Sequence, residues 1–275
     1  MNEIAFFLKP QTDSDEAWQQ LEDAGCHLLY SSEEENGAQV IFGRIPHHLK
    51  NTEVAKLCPA VDKIEAAPFP PIDWEAQWAS HGSDYHDGFV HLKLSDYADD
   101  LLSTLKLKPG PGFGDLSHPT TRLVLTLMPA LVKNKLVIDI GCGSGILSLA
   151  AIAMGAKAVV GIDIDAEAVN HARQNADLND MTKNIQFFLP EDYLPNEINP
   201  LEEVVVLMNM IQSEQQTAWM SLKNIHINAH TMITSGILAE GLESYLQQCQ
   251  SWKWEQVNKI ECDGWLGFRL KKSRH

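Results

Sequence analysis

Asp139, the glycines that follow it and Asp163 are the residues of this chain best placed to do chemistry. Residues 136–145 read Leu-Val-Ile-Asp-Ile-Gly-Cys-Gly-Ser-Gly, an apolar run that ends in an acid and then in a glycine-spaced turn. Gly141, Gly143 and Gly145 have no Cβ, so their backbone can turn sharply and approach a ligand closely. Asp139 leaves its strand beside that turn, where a carboxylate attracts a cationic amino-acid group and repels a pyrophosphate. Asp163 ends a second apolar run, residues 158–162, and can accept from both hydroxyls of a ribose. A dinucleotide fingerprint needs Gly-x-Gly-x-x-Gly, but the sixth position here is Ile146. This order points to S-adenosylmethionine rather than NAD; the competing reading is a βα turn whose glycines are merely structural.

The elements that must hold these residues are legible around them. Residues 146–154 read as a helix closed by Gly155, giving strand, glycine turn, helix, strand and acid, a nucleotide-binding βαβ unit. Apolar runs at 136–140, 159–163, 185–189, 204–208 and 232–235 are what buried parallel strands require. Helical segments fall between most of them, at 166–178 and 213–224 for example. Residues 253–260 and 265–270 read as a closing antiparallel pair joined by Cys-Asp-Gly. Upstream, Pro109-Gly110-Pro111-Gly112 leads into Phe113-Gly-Asp-Leu-Ser-His-Pro-Thr-Thr121, and a helix is expected from Thr121 to about Val132.

The first 67 residues keep a different rhythm. Strands are expected at 4–8, 27–31, 38–42 and 61–66, with helices at 14–24 and 48–57. The order β-α-β-β-α-β is that of a ferredoxin-like α+β domain, read here as a recognition module. Pro68, Pro70 and Pro71 then break the chain, and residues 68–108 are expected to be a linker and connecting segment before a domain at 109–275.

Composition narrows the class. With 275 residues and 44% hydrophobic content the chain can bury one large core or two modest ones. Its net charge of −16 disfavours direct nucleic-acid binding. No apolar run reaches the ~18 residues of a membrane span. The start Met-Asn-Glu lacks the basic and apolar stretches of a secretory signal. The five cysteines, at 26, 58, 142, 249 and 262, are odd in number and have no Cys-x-x-Cys spacing, as expected of free thiols in a reducing cytoplasm. His81, His86 and His91 are evenly spaced but cross a Gly/Asp loop without helical register, so no metal site is expected. Trp252, Trp254 and Trp265 read as core or edge-packing residues.

Taken together, Phe113–Thr121, the motif at 138–147, Gly161-Ile-Asp-Ile-Asp165, Asn209 and Ser235-Gly-Ile-Leu238 resemble the PrmA-type ribosomal protein methyltransferases. The resemblance runs over nearly the whole chain, including Trp74 and Trp78, and is tightest in residues 109–165. It implies a class I seven-stranded α/β methyltransferase domain preceded by a ferredoxin-like substrate domain. It further implies methyl transfer from S-adenosylmethionine to lysine or N-terminal amines of large-subunit ribosomal protein eleven, in the cytoplasm. The family loop usually reads Phe-Gly-Thr-Gly-Thr-His-x-Thr-Thr, so Asp115 and Leu116 depart from it, and Leu116 stands where the family has its second glycine. Of the family's Asn-[Ile or Leu]-x-Ala segment, only Asn209 is retained.

Roles follow from that resemblance. Asn209 is expected to orient the amine with its side-chain carbonyl and to lie against the cofactor; its alternative is to cap the following helix. His118 is a candidate proton acceptor, or a residue that fixes the loop. Phe113, Thr120 and Thr121 are expected beside the cofactor with Asp139, Gly141, Gly143, Gly145 and Asp163, and Thr120 is expected to cap its helix. Glu191 and Asp192 follow the third strand, where an adenine contact or a solvated acidic turn are both open. Two other readings stand: a cofactor-binding protein that has lost transfer, and a methyltransferase of a different amine.

Overall fold

The computed structural model describes residues 3–10, 12–33, 38–46, 49–66, 74–81, 84–193 and 203–273. The chain divides into two compact units, Met1–Ile72 and Asp73–His275.

In the first unit the order is β1 (Glu3–Leu8), α1 (Ser14–Asp23), β2 (His27–Glu33), β3 (Gln39–Arg44), α2 (Asn51–Leu57) and β4 (Val61–Ala66). The strands form one antiparallel sheet in the order β2-β3-β1-β4, the split-βαβ topology expected. Alternate residues Ile4, Phe6 and Leu8 of β1 face Ala17 and Leu21 of α1 in the core, the period-2 and i,i+4 patterns meeting as they must. Gly25, at a φ of 84°, stops α1 in the left-handed conformation that suits glycine. The start of the second expected helix, the β2–β3 turn at 34–37 and the prolines at 68–71 lie outside the described residues.

The second unit opens with α3 (Trp74–His81) and a small antiparallel sheet of β5 (Tyr85–His86), β6 (Phe89–Lys93) and β7 (Thr104–Leu107). These elements fall in the span expected to be a connecting segment, and they bury Trp78, Val90, Leu92 and Leu107 in the core of the second unit. There follow α4 (Pro119–Leu127), β8 (Leu136–Ile140), α5 (Ile146–Ala153), β9 (Ala158–Ile162), α6 (Ala166–Leu178) and β10 (Ile185–Phe188). The last elements are β11 (Val204–Asn209), α7 (Gln212–Ser221), β12 (Ala229–Leu238), α8 (Leu242–Ser251), β13 (Trp254–Cys262) and β14 (Trp265–Lys272).

The large sheet runs β10-β9-β8-β11-β12-β14-β13, with β10 to β12 parallel and β14 antiparallel to both its neighbours. This is the seven-stranded class I arrangement. Side chains of β11 alternate between two cores, Val205 and Leu207 on one face, Val204, Val206 and Met208 on the other. Helices therefore cover both faces, and ligands in such sheets bind outside the carboxyl ends of the strands where the order reverses. That point lies between β8 and β11, the strands that carry Asp139 and Asn209.

Helix α4 differs from expectation at both ends. It begins at Pro119 rather than Thr121, and it ends at Leu127 because Pro129 has no N–H to continue it. The closing hairpin turns through Asp263 and Gly264, both at positive φ, as a two-residue turn between twisted strands requires.

Candidate functional site

The glycine turn after β8 is a tightly wired piece of backbone. Gly141 N and Cys142 N both donate to the carbonyl of Ile162 at the end of β9, at 2.7 and 3.2 Å. Gly143 N donates to Asp163 Oδ2 at 2.9 Å. Ser144 N donates to the carbonyl of Phe113, and Gly145 N to that of Cys142, both at 2.8 Å. Every amide from 141 to 145 is thus engaged within the protein, which leaves this turn without the free N–H groups that cradle a pyrophosphate. The case against a dinucleotide, argued from charge and glycine spacing, acquires a further reason here.

The glycines are needed at this turn for packing as well. A Cβ on Gly143 would lie 2.5 Å from the carbonyl oxygen of Phe113, and one on Gly112 would lie 2.4 Å from the Gly143 carbonyl carbon. Backbone approaches backbone, and only glycine fits. The segment that presses in is pinned from α6: His171 Nδ1 accepts from Gly112 N at 3.1 Å, and Asn175 joins Lys108 N to the Ser144 carbonyl.

Two carboxylates flank the turn in different states. Asp139 is fully buried on the α5 face of the sheet, where its Oδ2 accepts from Ser148 Oγ at 2.6 Å. Its Oδ1 is buried without a partner. Burial raises this carboxyl to about 7; the nearby Asp163 charge adds to the rise, and the Ser148 hydroxyl opposes it. Asp163 is also raised by burial, but its oxygens are held by Gly143 N and by Asp165 N at 3.0 Å. Each of those oxygens keeps a further lone pair. A ligand with an ammonium for Asp139 and hydroxyls for Asp163 matches this donor-poor pair, and S-adenosylmethionine brings both.

The loop from Phe113 to Thr121 closes over the same region. Gly114 and Leu116 both have positive φ, 107° and 69°. Leu116 therefore keeps the left-handed backbone that a glycine would supply, and its side chain is 4% exposed within the core. Asp115 Oδ1 accepts from both the amide and the hydroxyl of Ser117, an Asx turn that fastens the loop. Phe113 is 54% exposed at the surface of this loop.

His118 is the N-cap of α4. Its Nδ1 accepts from Thr120 N at 3.4 Å and lies 2.8 Å from Thr120 Oγ1. This corrects the expectation for Thr120, which is the residue capped and not the cap. Burial holds the His118 imidazole below its ordinary pKa, with the Asp115 charge opposing. With Nδ1 accepting from Thr120 N, the neutral ring carries its proton on Nε2. The loop-fixing role is the one its geometry supports. Its ring also stands edge-on to Phe113 at 5.7 Å and to Trp265 at 4.9 Å. Trp265 was expected to be a packing residue and proves to border the site.

Asn209 ends β11. Its Nδ2 donates to Thr121 Oγ1 at 3.3 Å, while its Oδ1 is buried with no partner. It does not cap the next helix, whose N-cap is Ile211. The neighbouring Met210 lays its methyl against Gly141, where a Cβ would meet it at 2.2 Å. The structure thus gathers Phe113, His118, Thr120, Thr121 and Asn209 about the Gly141–Gly145 turn. Glu191 and Asp192 are exposed in the turn after β10.

Sequence reasoning passed over Ser148, Met210, Gln215 and Trp265. Ser148 had a signal, since it is the one polar residue in the otherwise apolar α5. His86 and His91 stack at 3.6 Å, the side chain of His81 lies outside the described residues, and among the described residues no three metal-ligating side chains assemble. Nor is any described helix long and apolar enough to cross a membrane.

Comparison with known proteins bears on these features together. A family model described as "Ribosomal protein L11 methyltransferase (PrmA)" matches residues 12–273. A ribosomal protein L11 methyltransferase of Pseudoalteromonas atlantica is 38% identical over 189 residues, 65% of this chain and 63% of that protein. One of Shigella sonnei is 34% identical over 176 residues, 62% of this chain and 59% of that protein. The matched region thus spans less than two thirds of the length of these relatives. A crystal structure of ribosomal protein L11 methylase from Lactobacillus delbrueckii subsp. bulgaricus superposes with a TM-score of 0.51 at 27% identity, covering 61% of this chain and 84% of that one. The match runs over nearly the whole chain, and this chain belongs to the ribosomal protein L11 methyltransferase family.

Proposed function

We propose that this protein transfers a methyl group from S-adenosylmethionine to amines of ribosomal protein L11, on lysine side chains or the N-terminus. The observation that carries the reading is the Asn209 carbonyl, an unpartnered buried acceptor at the carboxyl end of the sheet. When bound, S-adenosylmethionine supplies a methyl carbon on a positive sulfur, which keeps the bonding electrons as the amine nitrogen takes the methyl. Asp139 and Ser148 would hold its amino group, Asp163 its ribose, and the Phe113–Thr121 loop would cover it.

The work left to the protein is position and desolvation. A lysine amine, with an unperturbed pKa near ~10.4, arrives protonated and must lose a proton to expose its lone pair. Asn209 Oδ1 accepts a remaining N–H and so turns that lone pair toward the methyl group. Thr121 keeps the Asn209 amide from rotating by accepting from Nδ2. His118, with Nδ1 engaged, shapes the loop while the proton leaves to water. A cytoplasmic location fits a ribosomal acceptor.

The test is transfer of labelled methyl to unmethylated L11, with total cell protein alongside. Label on L11 supports the reading, and its loss in Asn209→Ala supports the role of that residue. Label only on other acceptors means a different amine substrate. Cofactor binding by calorimetry without label on any acceptor means a binding protein.

A further inference from the structure

We propose that Gln215 is a positioning residue for this reaction, fixing the exit of β11 so that the Asn209 carbonyl stays aimed at the amine. The proposal rests on the role given to Asn209 above. Gln215 lies in the first turn of α7 and is completely buried. Its Nε2 donates to the carbonyl of Met210 at 2.8 Å and to that of Ser235 at 3.0 Å. Met210 follows Asn209 in the chain, and Ser235 is the register partner of Asn209 on β12. One amide therefore ties together the two strand exits that carry the site.

The two carbonyls, which can only accept, dictate the orientation of that amide, and it is supported from behind. Tyr245 Oη lies 2.8 Å from Gln215 Oε1 and 2.6 Å from Thr234 Oγ1. A phenol has one proton, and an amide oxygen can only accept, so Tyr245 donates to Gln215 and Thr234 donates to Tyr245. The order Thr234 to Tyr245 to Gln215 completes the one arrangement that the two carbonyls allow, with the NH2 group on them. A flipped amide would face those carbonyls with its oxygen.

The exit peptide is also packed from β12. Gly236, at a φ of 95°, packs so closely that a Cβ there would lie 2.2 Å from the Met210 oxygen. The Asn209 side chain is tied by the 3.3 Å bond to Thr121, which is at the long end of the hydrogen-bond range. Its aim is accordingly set by the backbone that Gln215 grips.

The experiment is a double-mutant cycle with a spectroscopic readout. Gln215→Met keeps the volume and removes both donors; Tyr245→Phe, milder, strips the donor from Gln215 Oε1 and loosens the amide, for use if the first variant folds poorly. In either, kcat for methyl transfer falls on the order of 10- to 100-fold while cofactor affinity holds. In an Asn209→Ala background the same substitution has no further effect on kcat. In the ligand-free protein the Asn209 side-chain amide resonance, identified by its loss in Asn209→Ala, shifts and broadens in Gln215→Met or Tyr245→Phe. An unmoved resonance, or an equal drop in kcat in both backgrounds, overturns the proposal. If Asn209→Ala retains full turnover, the role given to Asn209 fails, and the resonance alone decides whether Gln215 positions it.

Discussion

Asn209 Nδ2 donates to Thr121 Oγ1 at 3.3 Å, joining the end of β11 to the first turn of α4 and leaving Asn209 Oδ1 open. Each half of the amide thus has a separate task. Thr121→Val keeps the shape of the side chain and removes the acceptor, so the amide can turn its NH2 toward the substrate position. The expected loss in kcat is about tenfold, against about 100-fold for Asn209→Ala, with cofactor affinity retained in both. Steady-state kinetics beside calorimetric cofactor titration checks this. A parallel loss of cofactor binding would show that Asn209 belongs to the cofactor site.

His118 acts on α4 through its cap, and that can be separated from proton transfer. His118→Asn preserves a capping acceptor and removes the imidazole, whereas His118→Ala removes both. The first is expected to leave the pH–rate profile unchanged in shape. The second destabilises the fold by about 1 kcal/mol, the usual worth of an N-cap. Denaturant melts and kcat against pH distinguish the two, and a vanished limb in the Asn variant would restore the histidine as a base.

Asp139 makes ligand-free stability depend on pH in an unusual direction. Its carboxyl titrates near 7 in the folded chain, against a reference of 3.8. The folded state thus binds the extra proton between those values, and the contribution of Asp139 to stability falls as pH rises from about 4 to about 7. A bound ammonium reverses the preference, because it favours the charged carboxylate. Cofactor affinity is accordingly expected to rise with pH up to about 7 and then level off. Asp139→Asn should bind weakly with no such rise, as calorimetry at several pH values would show.

Leu116 sets backbone strain against burial. Its left-handed φ of 69° costs a non-glycine residue about 1–2 kcal/mol. Removing a buried leucine side chain costs about 2–5 kcal/mol. Leu116→Gly is therefore expected to lower stability by about 1–3 kcal/mol in chemical denaturation, although it restores the glycine usual at this position. A stabilised variant would mean that strain outweighs the packing.

Much of this architecture was legible in the chain before it was folded. Apolar runs ending in Asp139, Asp163 and Asn209 announced parallel strands and the end of the sheet where chemistry occurs, because burial on both faces demands continuous hydrophobicity. The β-α-β-β-α-β order of the first unit followed from alternation and from punctuation such as Gly25. Local rules failed where a local signal had a non-local competitor. Thr120 has the chemistry of a cap, but the loop geometry gave that place to His118. Trp265 has the composition of a core residue, yet the antiparallel pairing of β14 with β12 brings it to the His118 ring.

Residue order by itself determined the glycine turn, its flanking acids and the layered α/β plan, since these depend on spacing, periodicity and the missing Cβ of glycine. Only the tertiary structure decided which polar atoms are satisfied. Asn209 is paired at one end and open at the other because Thr121, far away in sequence, meets its NH2 group. Asp139 is raised to about 7 because the folded sheet buries it, which outweighs the hydrogen bonding from Ser148. Gln215 has one orientation because the carbonyls of Met210 and Ser235, on two different strand exits, both take its NH2 group. Hydrogen-bond satisfaction and desolvation are properties of the assembled core, and no stretch of the sequence contains all of the partners.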